Sequence, residues 1–389
     1  MSSSGPATRS SCPEAMKAAI LASLISGGLG MLLPVTAAAD WFQHGFSVAL
    51  NTDYDTNPTL SATADEALWR FTASPAYNLS RSSGPDTLNF KLALALERSS
   101  DEAISIGRED PSLSLAWTRQ SATGSFGVTA GYIEASTRVS EFENLGLVTV
   151  DGSKITQTLG VQWSRALDER RTLALNAGHS GVRYRGGTLT DYANLSASAT
   201  LSDTWNERQA PYLRLSASHY APETGGTESD SIDLLAGISL TQSERLSLDL
   251  AAGINQTSSQ GNRDTNWQGS LKCNYALDER SAFSFDLARS TTSSGLGGFI
   301  ESDQINLSWN RALSDVQSIG ANLAWRSSQA SISGNSRQLS LWGSRALNDF
   351  WSMRLQYLYK QSEGSGGAEA SGSVLSLSLS YAHPDFLDL

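Results

Sequence analysis

Side chains along most of this chain alternate between apolar and polar at every second position. Residues 246–254 show the pattern clearly, with Leu248 in the apolar phase and Asp249 in the polar phase. The same alternation recurs in residues 88–97 and 375–381. A period of two sustained over about ten residues is typical of β-strands that cross a membrane with one apolar and one polar face.

Short turns of similar sequence separate these stretches at regular intervals. Five-residue turns with the pattern Arg-Ala-Leu followed by two polar residues begin at Arg165, Arg311 and Arg345. Asp, Asn and Ser favour such turns because their side chains hydrogen-bond to the local backbone. Longer connections, for example residues 223–229 and 258–264, are rich in polar residues. This alternation of short and long connections is typical of a transmembrane barrel.

Counting strands between the turns gives about 18, within a range of about 16–18, and predicts an all-β fold. The fold class is a transmembrane, antiparallel, up-and-down β-barrel with short periplasmic turns and longer extracellular loops. The expected strands are residues 42–54, 67–79, 86–98, 109–119, 124–136, 153–166, 170–184, 189–202, 209–221, 229–242, 244–257, 264–277, 280–293, 300–313, 316–329, 334–347, 350–362 and 371–383. We expect the last strand to pair with the first, because a bilayer offers an open edge no hydrogen-bond partner. A ring of this size leaves an aqueous lumen.

The beginning of the chain has the pattern of a secretory signal peptide. Lys17 precedes a small, apolar stretch over residues 18–35, and three alanines follow at residues 37–39. A basic start, a short apolar stretch and a small-residue end are the features of such a peptide. A transmembrane anchor is the competing interpretation, but a proline and three glycines interrupt the apolar stretch. We predict that residues 1–39 are a signal peptide, with Met16 as an alternative start, and that residues 40–389 form the barrel.

Composition agrees with a wall that has one polar but uncharged face. Only 17% of the residues are charged, against roughly 25% in an average soluble protein. The net charge of −11 argues against nucleic acid as a partner, since phosphate binding requires a basic patch. Of the two cysteines, Cys12 lies in the segment expected to be removed, and we expect Cys273 to be a small apolar side chain on a strand.

Aromatic residues in the apolar phase cluster beside the short turns. Trp and Tyr are enriched where a barrel meets the lipid–water boundary. The competing interpretation is that they are ordinary strand aromatics packed in a core. We expect an aromatic girdle formed by Tyr77, Trp117, Trp163, Tyr275, Trp309 and Trp351.

Charged residues in the polar phase carry both signs. We expect the following residues to line the lumen: Arg70, Lys91, Arg214, Asp233, Asp249, Lys272, Asp286, Arg326 and Arg354. One interpretation is a lumen that passes polar solutes or a glycan. The alternative is that these groups pair across neighbouring strands and satisfy one another.

The residues that could carry catalysis or metal binding are few. A barrel hydrolase requires a histidine, a serine and an orienting polar group at one height. We expect the four histidines, His44, His179, His219 and His383, to lie at the rim or in the girdle. The metal-binding motifs of zinc enzymes and of calcium loops do not occur in the sequence. We therefore predict that the protein is not an enzyme and has neither a metal site nor a cofactor.

The segment Tyr54–Pro58, which closes the first expected strand, and the repeated short turns resemble the β-barrel porin type 2 family of proteobacterial outer-membrane proteins. The resemblance covers about residues 40–389. It implies a location in the outer membrane of a Gram-negative cell and an association with exopolysaccharide production systems. In one departure, outer-membrane strands usually end the chain on an aromatic residue, whereas this chain continues past Tyr381 to Phe386 and Leu389.

Three functions follow from these patterns as alternatives. The first is a porin-like channel for polar solutes or for exopolysaccharide transport, which predicts an open lumen. The second is a non-conducting structural or assembly component of an envelope polysaccharide export system, which predicts a lumen closed by inward-folded loops. The third is a barrel hydrolase. The expected partners are outer-membrane lipid and the barrel assembly machinery, and, for a role in export, a polysaccharide or periplasmic export proteins.

Overall fold

The computed structural model describes residues 41–63, 66–145, 152–329, 334–364 and 369–384. These residues form 18 strands and one helix. The strands are β1 (Trp41–Asp55), β2 (Leu68–Ser83), β3 (Asp86–Ser99), β4 (Arg108–Ser121), β5 (Gly124–Ser136), β6 (Ser153–Ala166), β7 (Arg171–Arg185), β8 (Tyr192–Asp203), β9 (Gln209–Pro222), β10 (Ser229–Ser243), β11 (Leu246–Ser259), β12 (Asn262–Asp278), β13 (Ser281–Ser293), β14 (Phe299–Ser314), β15 (Gln317–Gln329), β16 (Gly334–Ala346), β17 (Trp351–Gly364) and β18 (Glu369–His383). Helix α1 (Thr137–Leu145) follows β5. The predicted signal peptide lies outside the described residues.

The strands form one closed antiparallel barrel. Each strand pairs with its neighbours in the chain, and β1 also pairs with β18 from Phe46↔His383 to Asp55↔Val374. Closure gives every strand a hydrogen-bonded neighbour on both sides, which a sheet inside a bilayer requires. The predicted fold class is confirmed, and two expected strands, 124–136 and 153–166, have the predicted bounds.

One predicted connection was wrong. Residues 258–264 were expected to form a long loop, but β11 extends to Ser259 and β12 begins at Asn262. The two residues between them, Gln260 and Gly261, have φ values of 53° and 82°. Positive φ at both central positions is the geometry of a tight hairpin turn whose twist matches the flanking strands. The polar composition of this segment therefore marks strand ends that project into water.

The repeated short turns are held by the side chain of their polar residue. The Asp168 carboxylate accepts hydrogen bonds from the backbone N–H groups of Arg170 and Arg171, both at 2.8 Å. The side-chain oxygen of Asn348 accepts two equivalent bonds at 2.9 and 2.8 Å. The two backbone donors hold the pKa of the Asp168 carboxyl below its usual range, because they stabilise its charged form. The turn pattern read from the sequence thus has a direct structural cause.

The two faces of the wall differ in polarity throughout the ring. Large apolar side chains remain exposed on one face, including Leu159 at 53% and Leu215 at 52%. Cross-strand partners share a face, so the ladder extends this apolar phase from strand to strand around the barrel. A contiguous apolar outer surface on a closed barrel is what membrane barrels present to lipid. The one helix of the described residues is not long and apolar enough to cross a membrane.

Closure can be tested with a disulfide between the first and last strands. Ser47 and Ala382 are Cα partners in the β1–β18 ladder. In a Cys273→Ala background, we expect Ser47→Cys with Ala382→Cys to form a disulfide on oxidation, because Cα partners lie within about 4.5–5.5 Å. Thiol titration and mass spectrometry of the unreduced protein measure its formation.

The control pair is Ser47→Cys with Ser352→Cys. Ser352 lies on β17, one strand further around the ring. Two strand spacings are about 10 Å, which exceeds the reach of a disulfide. Equal cross-linking of the two pairs, or none in the first, would contradict the closed ladder.

Candidate lumen and its constriction

The structure places the nine predicted lumen charges on the polar face of the wall. Lys272, for example, has Asp249 and Asp286 as its Cα partners on the two neighbouring strands. On the same face, every strand pair has at least one serine, threonine, asparagine or glutamine, as in Ser308↔Asn322. The other predicted residues in this phase are Arg70, Lys91, Arg214, Asp233, Arg326 and Arg354. Their contact with a passing solute stays a prediction.

Three of these charges, Lys272, Asp249 and Asp286, lie in register on neighbouring strands but form no direct ion pair of 4.0 Å or less in the structure described. The carboxylate of Asp249 instead accepts hydrogen bonds from the Tyr212 hydroxyl at 2.9 Å and the Ser239 hydroxyl at 2.6 Å. In this half of the barrel, towards the short turns, charged groups therefore face the lumen with neutral partners.

Arg70 is different, because it belongs to a buried cluster at the long-loop end. The carboxylate of Asp55 is fully buried and lies 2.9 Å from Arg70 and 2.9 Å from the Lys360 amine. Asp55 also accepts a bond from the backbone N–H of Asn57 at 3.1 Å, and the Asn57 side chain donates to the carbonyl of Ser371 at 2.9 Å. The sequence motif that closes the first strand thus fixes the segment after β1 against β18.

Helix α1 extends from β5 into the barrel and reaches its far side. The Phe142 side chain is buried with Leu60, from the segment after β1, and Ala370 on β18. The Arg138 guanidinium donates to Ser105 at 2.7 Å and to Glu97 at 3.2 Å. The helix also approaches β15, which lies eight strands from β5 in a ring of 18. A helix with contacts so far apart around the ring crosses the lumen.

A second insertion comes from the tip of the β13–β14 hairpin. The β12–β13 ladder ends at Gly269↔Arg289, whereas the β13–β14 ladder continues to Ser293↔Phe299. The tip leaves the wall and contacts the connection between β7 and β8: the Gly295 carbonyl accepts a bond from the backbone N–H of Thr190 at 2.8 Å. The Tyr192 hydroxyl also donates to the Ser293 carbonyl at 3.4 Å. Phe299 packs against the buried cluster of Val182, Tyr192 and Tyr220.

The two insertions meet at Tyr184 on β7. Glu141 of α1 is only 1% exposed, and its carboxylate accepts bonds from Lys154 at 2.9 Å and from the Tyr184 hydroxyl at 3.4 Å. The ring of Tyr184 lies so close to Gly295 that a Cβ atom there would approach it to 2.7 Å. The long-loop end of the lumen is therefore constricted by two elements that share one contact residue.

Sequence reasoning did not identify the residues of this constriction. Asp55, Lys360 and Glu141 act through partners far away in the chain, for example 305 residues for Asp55 and Lys360. The one available signal was the Tyr54–Pro58 motif, which was recognised as a strand ending but not as the anchor of an inward-folded segment.

The six predicted girdle residues all lie on the apolar outer face, near the short turns. The Tyr275 and Trp351 side chains are 40% and 37% exposed. Further aromatic rings lie beside them, with centroid separations of 5.8 Å for Trp117 and Phe126 and 5.2 Å for Trp351 and Tyr381. Tyr77, Trp163 and Trp309 share this phase. Their position at a lipid–water boundary stays a prediction.

The histidines lie away from the lumen constriction. His44 contacts the Tyr77 hydroxyl at 2.7 Å, and His219 contacts the Asp230 carboxylate at 2.8 Å, both on the outer face. His383 stacks on Phe350. Within the described ranges, no histidine is hydrogen-bonded to a serine, and no group of three acidic, histidine or cysteine side chains could hold a metal ion.

Solved structures share this fold. OccK2 (OpdF) of Pseudomonas aeruginosa aligns with a TM-score of 0.51 and 11% identity over 88% of this chain and 97% of its own. The outer membrane protein OpdK of Pseudomonas aeruginosa aligns with a TM-score of 0.50 and 11% identity over 87% and 99%. Acinetobacter baumannii OccAB4 gives 0.50 and 10% over 88% and 98%.

Comparisons by sequence found no match, either to a family model or to a curated protein. At 10–11% identity the structural likeness shows the fold alone. This chain has the β-barrel fold of an outer-membrane protein, which confirms the outer-membrane type of barrel that the sequence predicted. The resemblance to the porin type 2 family stays a prediction.

The buried cluster at Asp55 predicts a large loss of stability when its carboxylate is removed. Asp55→Asn leaves the Arg70 and Lys360 cations buried without a counter-charge. Breaking a buried ion pair by removing one partner costs about 3–5 kcal/mol in the free energy of unfolding. Urea unfolding of the refolded barrel in lipid vesicles, followed by tryptophan fluorescence, measures this loss.

The matched control is Asp53→Asn, on the same strand and the same face. Asp53 accepts a hydrogen bond from the neighbouring Asn51 side chain at 2.8 Å, which an asparagine at position 53 can still accept. We expect this variant to unfold within about 1 kcal/mol of the unmodified protein. Similar losses in both variants would show that the cluster does not anchor the segment after β1.

Proposed function

We propose that this protein is an outer-membrane channel for small polar solutes, in which α1 and the β13–β14 tip control passage. The observation that carries the proposal is the continuous polar face of a closed 18-stranded wall whose outer face is apolar. A ring of this size leaves an aqueous lumen unless something fills it. The fold shared with the outer membrane protein OpdK supports the location. Outer-membrane lipid and the barrel assembly machinery are its implied partners.

A narrower form of the proposal gives the channel an exopolysaccharide as cargo. The hydroxyl and amide side chains of the polar face suit sugar hydroxyls, and the resemblance to the porin type 2 family points the same way. A helix that crosses the lumen occupies part of the path that a polymer chain needs, so this form predicts that α1 moves aside. Periplasmic export proteins are then the expected partners.

A second candidate is a non-conducting structural or assembly component of an envelope export system. The observation that favours it is the firm attachment of α1, whose Glu141 and Phe142 side chains are both buried. A helix fixed in this way can block the passage of all solutes, and it can equally restrict passage to small ones. Conductance separates this candidate from the channel.

The channel proposal predicts that loosening α1 increases conductance. The variant Arg138→Gln/Phe142→Ala removes a guanidinium contact and a buried ring of the helix. Loss of a buried phenylalanine side chain alone costs about 3–5 kcal/mol, which shifts a closed–open equilibrium by about a hundredfold or more. We expect small, steady currents from the unmodified protein in a planar bilayer and larger or longer openings from the variant.

Val139→Ala is the control within the same helix, because the Val139 side chain is 49% exposed. We expect its currents to match those of the unmodified protein. A correctly folded, heat-modifiable barrel that passes no current in any variant would rule out the channel and leave the assembly role.

A further inference from the structure

The inner wall formed by β14–β18 carries an arginine stacked on a tryptophan, and the described polar-phase residues of these five strands include no carboxylate. We propose that this pair, Arg354 and Trp342, is a binding site for carboxylate-bearing saccharides within the lumen. The inference deepens the proposed function and rests on it, since it names the class of solute that enters the barrel.

The Trp342 ring lies flat against the wall because the neighbouring strand provides room for it. On β15 the residue beneath the ring is Gly320, and a Cβ atom at that position would overlap the ring. The Arg354 side chain extends from β17, and its Cζ atom lies 4.4 Å from the centre of the Trp342 ring. The ring thus holds the guanidinium in place, so that little conformational freedom is lost when a ligand binds.

The charges of this wall are all of one sign. On the polar face of the described residues of β14–β18 there are three cations, Arg326, Arg354 and Lys360, and no carboxylate. Lys360 forms an ion pair with Asp55, which it shares with Arg70, and Arg326 donates to the Gln304 side chain at 2.9 Å. Among the described residues, Arg354 forms no ion pair of 4.0 Å or less.

The neighbours of the pair on the polar face are neutral hydrogen-bonding groups. Arg354 lies between Ser344 and Ser378 in the ladder, and Trp342 lies opposite Gln356. A sugar ring offers an apolar C–H face and a rim of hydroxyls, which suits an aromatic surface surrounded by hydroxyl and amide groups. A carboxylate on that sugar can form two parallel bonds to a guanidinium, which a neutral sugar cannot. The composition of the site therefore selects an acidic saccharide.

A similar stack elsewhere in the lumen lacks this selectivity. Tyr212 lies over Gly237 in the same way, and the Arg214 Cζ atom lies 5.8 Å from its ring centre. Here, however, the Tyr212 hydroxyl donates to the carboxylate of Asp249, which places a negative charge beside the ring. A second carboxylate repels an acidic ligand, so we assign the site to Arg354 and use Arg214 as an internal comparison.

The test is calorimetric titration of the refolded mature chain, residues 40–389, with trigalacturonate. We expect Arg354→Gln to weaken binding by about ten- to a hundredfold, the value of a hydrogen-bonded charge. We expect Trp342→Leu, which keeps the charge, to weaken it as well. Arg214→Gln should bind like the unmodified protein. So should Arg345→Gln, which removes the same charge from an exposed position on the outer face.

Two further ligands separate the parts of the proposal. Maltotriose has the sugar rings without carboxylates, and tricarballylate has three carboxylates without sugar rings. Trigalacturonate should bind more tightly than either. Equal binding of maltotriose would overturn the role of the carboxylate, and equal binding of tricarballylate would overturn the role of the sugar.

A difference in gel mobility between unheated and heated samples shows whether each variant is folded. If Arg354→Gln does not fold, Arg354→Lys provides a second test of the site. Lysine keeps the charge but loses the paired donors, so binding should still weaken. Unchanged affinity in both Arg354→Gln and Arg354→Lys would overturn the site. Bilayer currents from the same preparations test the channel independently: binding without current would reject the proposed function while supporting the site.

Discussion

In the interior of a bilayer no water replaces a lost hydrogen-bond partner of the backbone, and the whole architecture follows from that constraint. The pairing of β1 with β18 satisfies it by removing the two edges that an open sheet would have. Once the ring is closed, the register is fixed as well, because a slip of one residue would exchange the apolar and polar faces of a strand. The polar lumen is therefore a consequence of the same ladder that faces lipid outside.

The elements that depend on this ladder were predictable, because their signals are local. The alternation of apolar and polar residues predicts the strands. Asp168 and Asn348 indicate the short turns, because their side chains accept hydrogen bonds from the turn backbone. The phase of each charged or aromatic residue follows from the same alternation, and the ladder likewise gives Lys272 the polar phase and Trp117 the apolar phase. Helix α1 left no comparable signal, because among its described side chains only Phe142 is a buried apolar one. Its position depends on contacts with strands far away in sequence.

The basic residues of the lumen fall into two groups: some form ion pairs with inserted segments, and others lie on the wall without a carboxylate partner. At the long-loop end, Arg70, Lys154 and Arg138 each meet a carboxylate, and these ion pairs hold the inserted segments in place. Towards the short turns, Arg354 and Lys272 lie on the same face without such a partner in the described residues. Sequence phase cannot separate Arg70 from Arg354, because both lie in the polar phase of their strands. The difference arises only where inserted elements bring distant charges together.

The departure of the β13–β14 tip from the wall has a consequence for the wall itself. Above Gly269, the described part of β12 is bonded to β11 alone, so the cylinder has a notch at its outer rim. Most side chains along the notch, Asn262 to Asn266 and Gln268, are polar, so their unpaired backbone groups suit a position in water, whereas Trp267 is an exposed aromatic residue. The β12–β13 ladder is thus the shortest in the ring, so the insertion that narrows the lumen also reduces the backbone hydrogen bonding between these two strands.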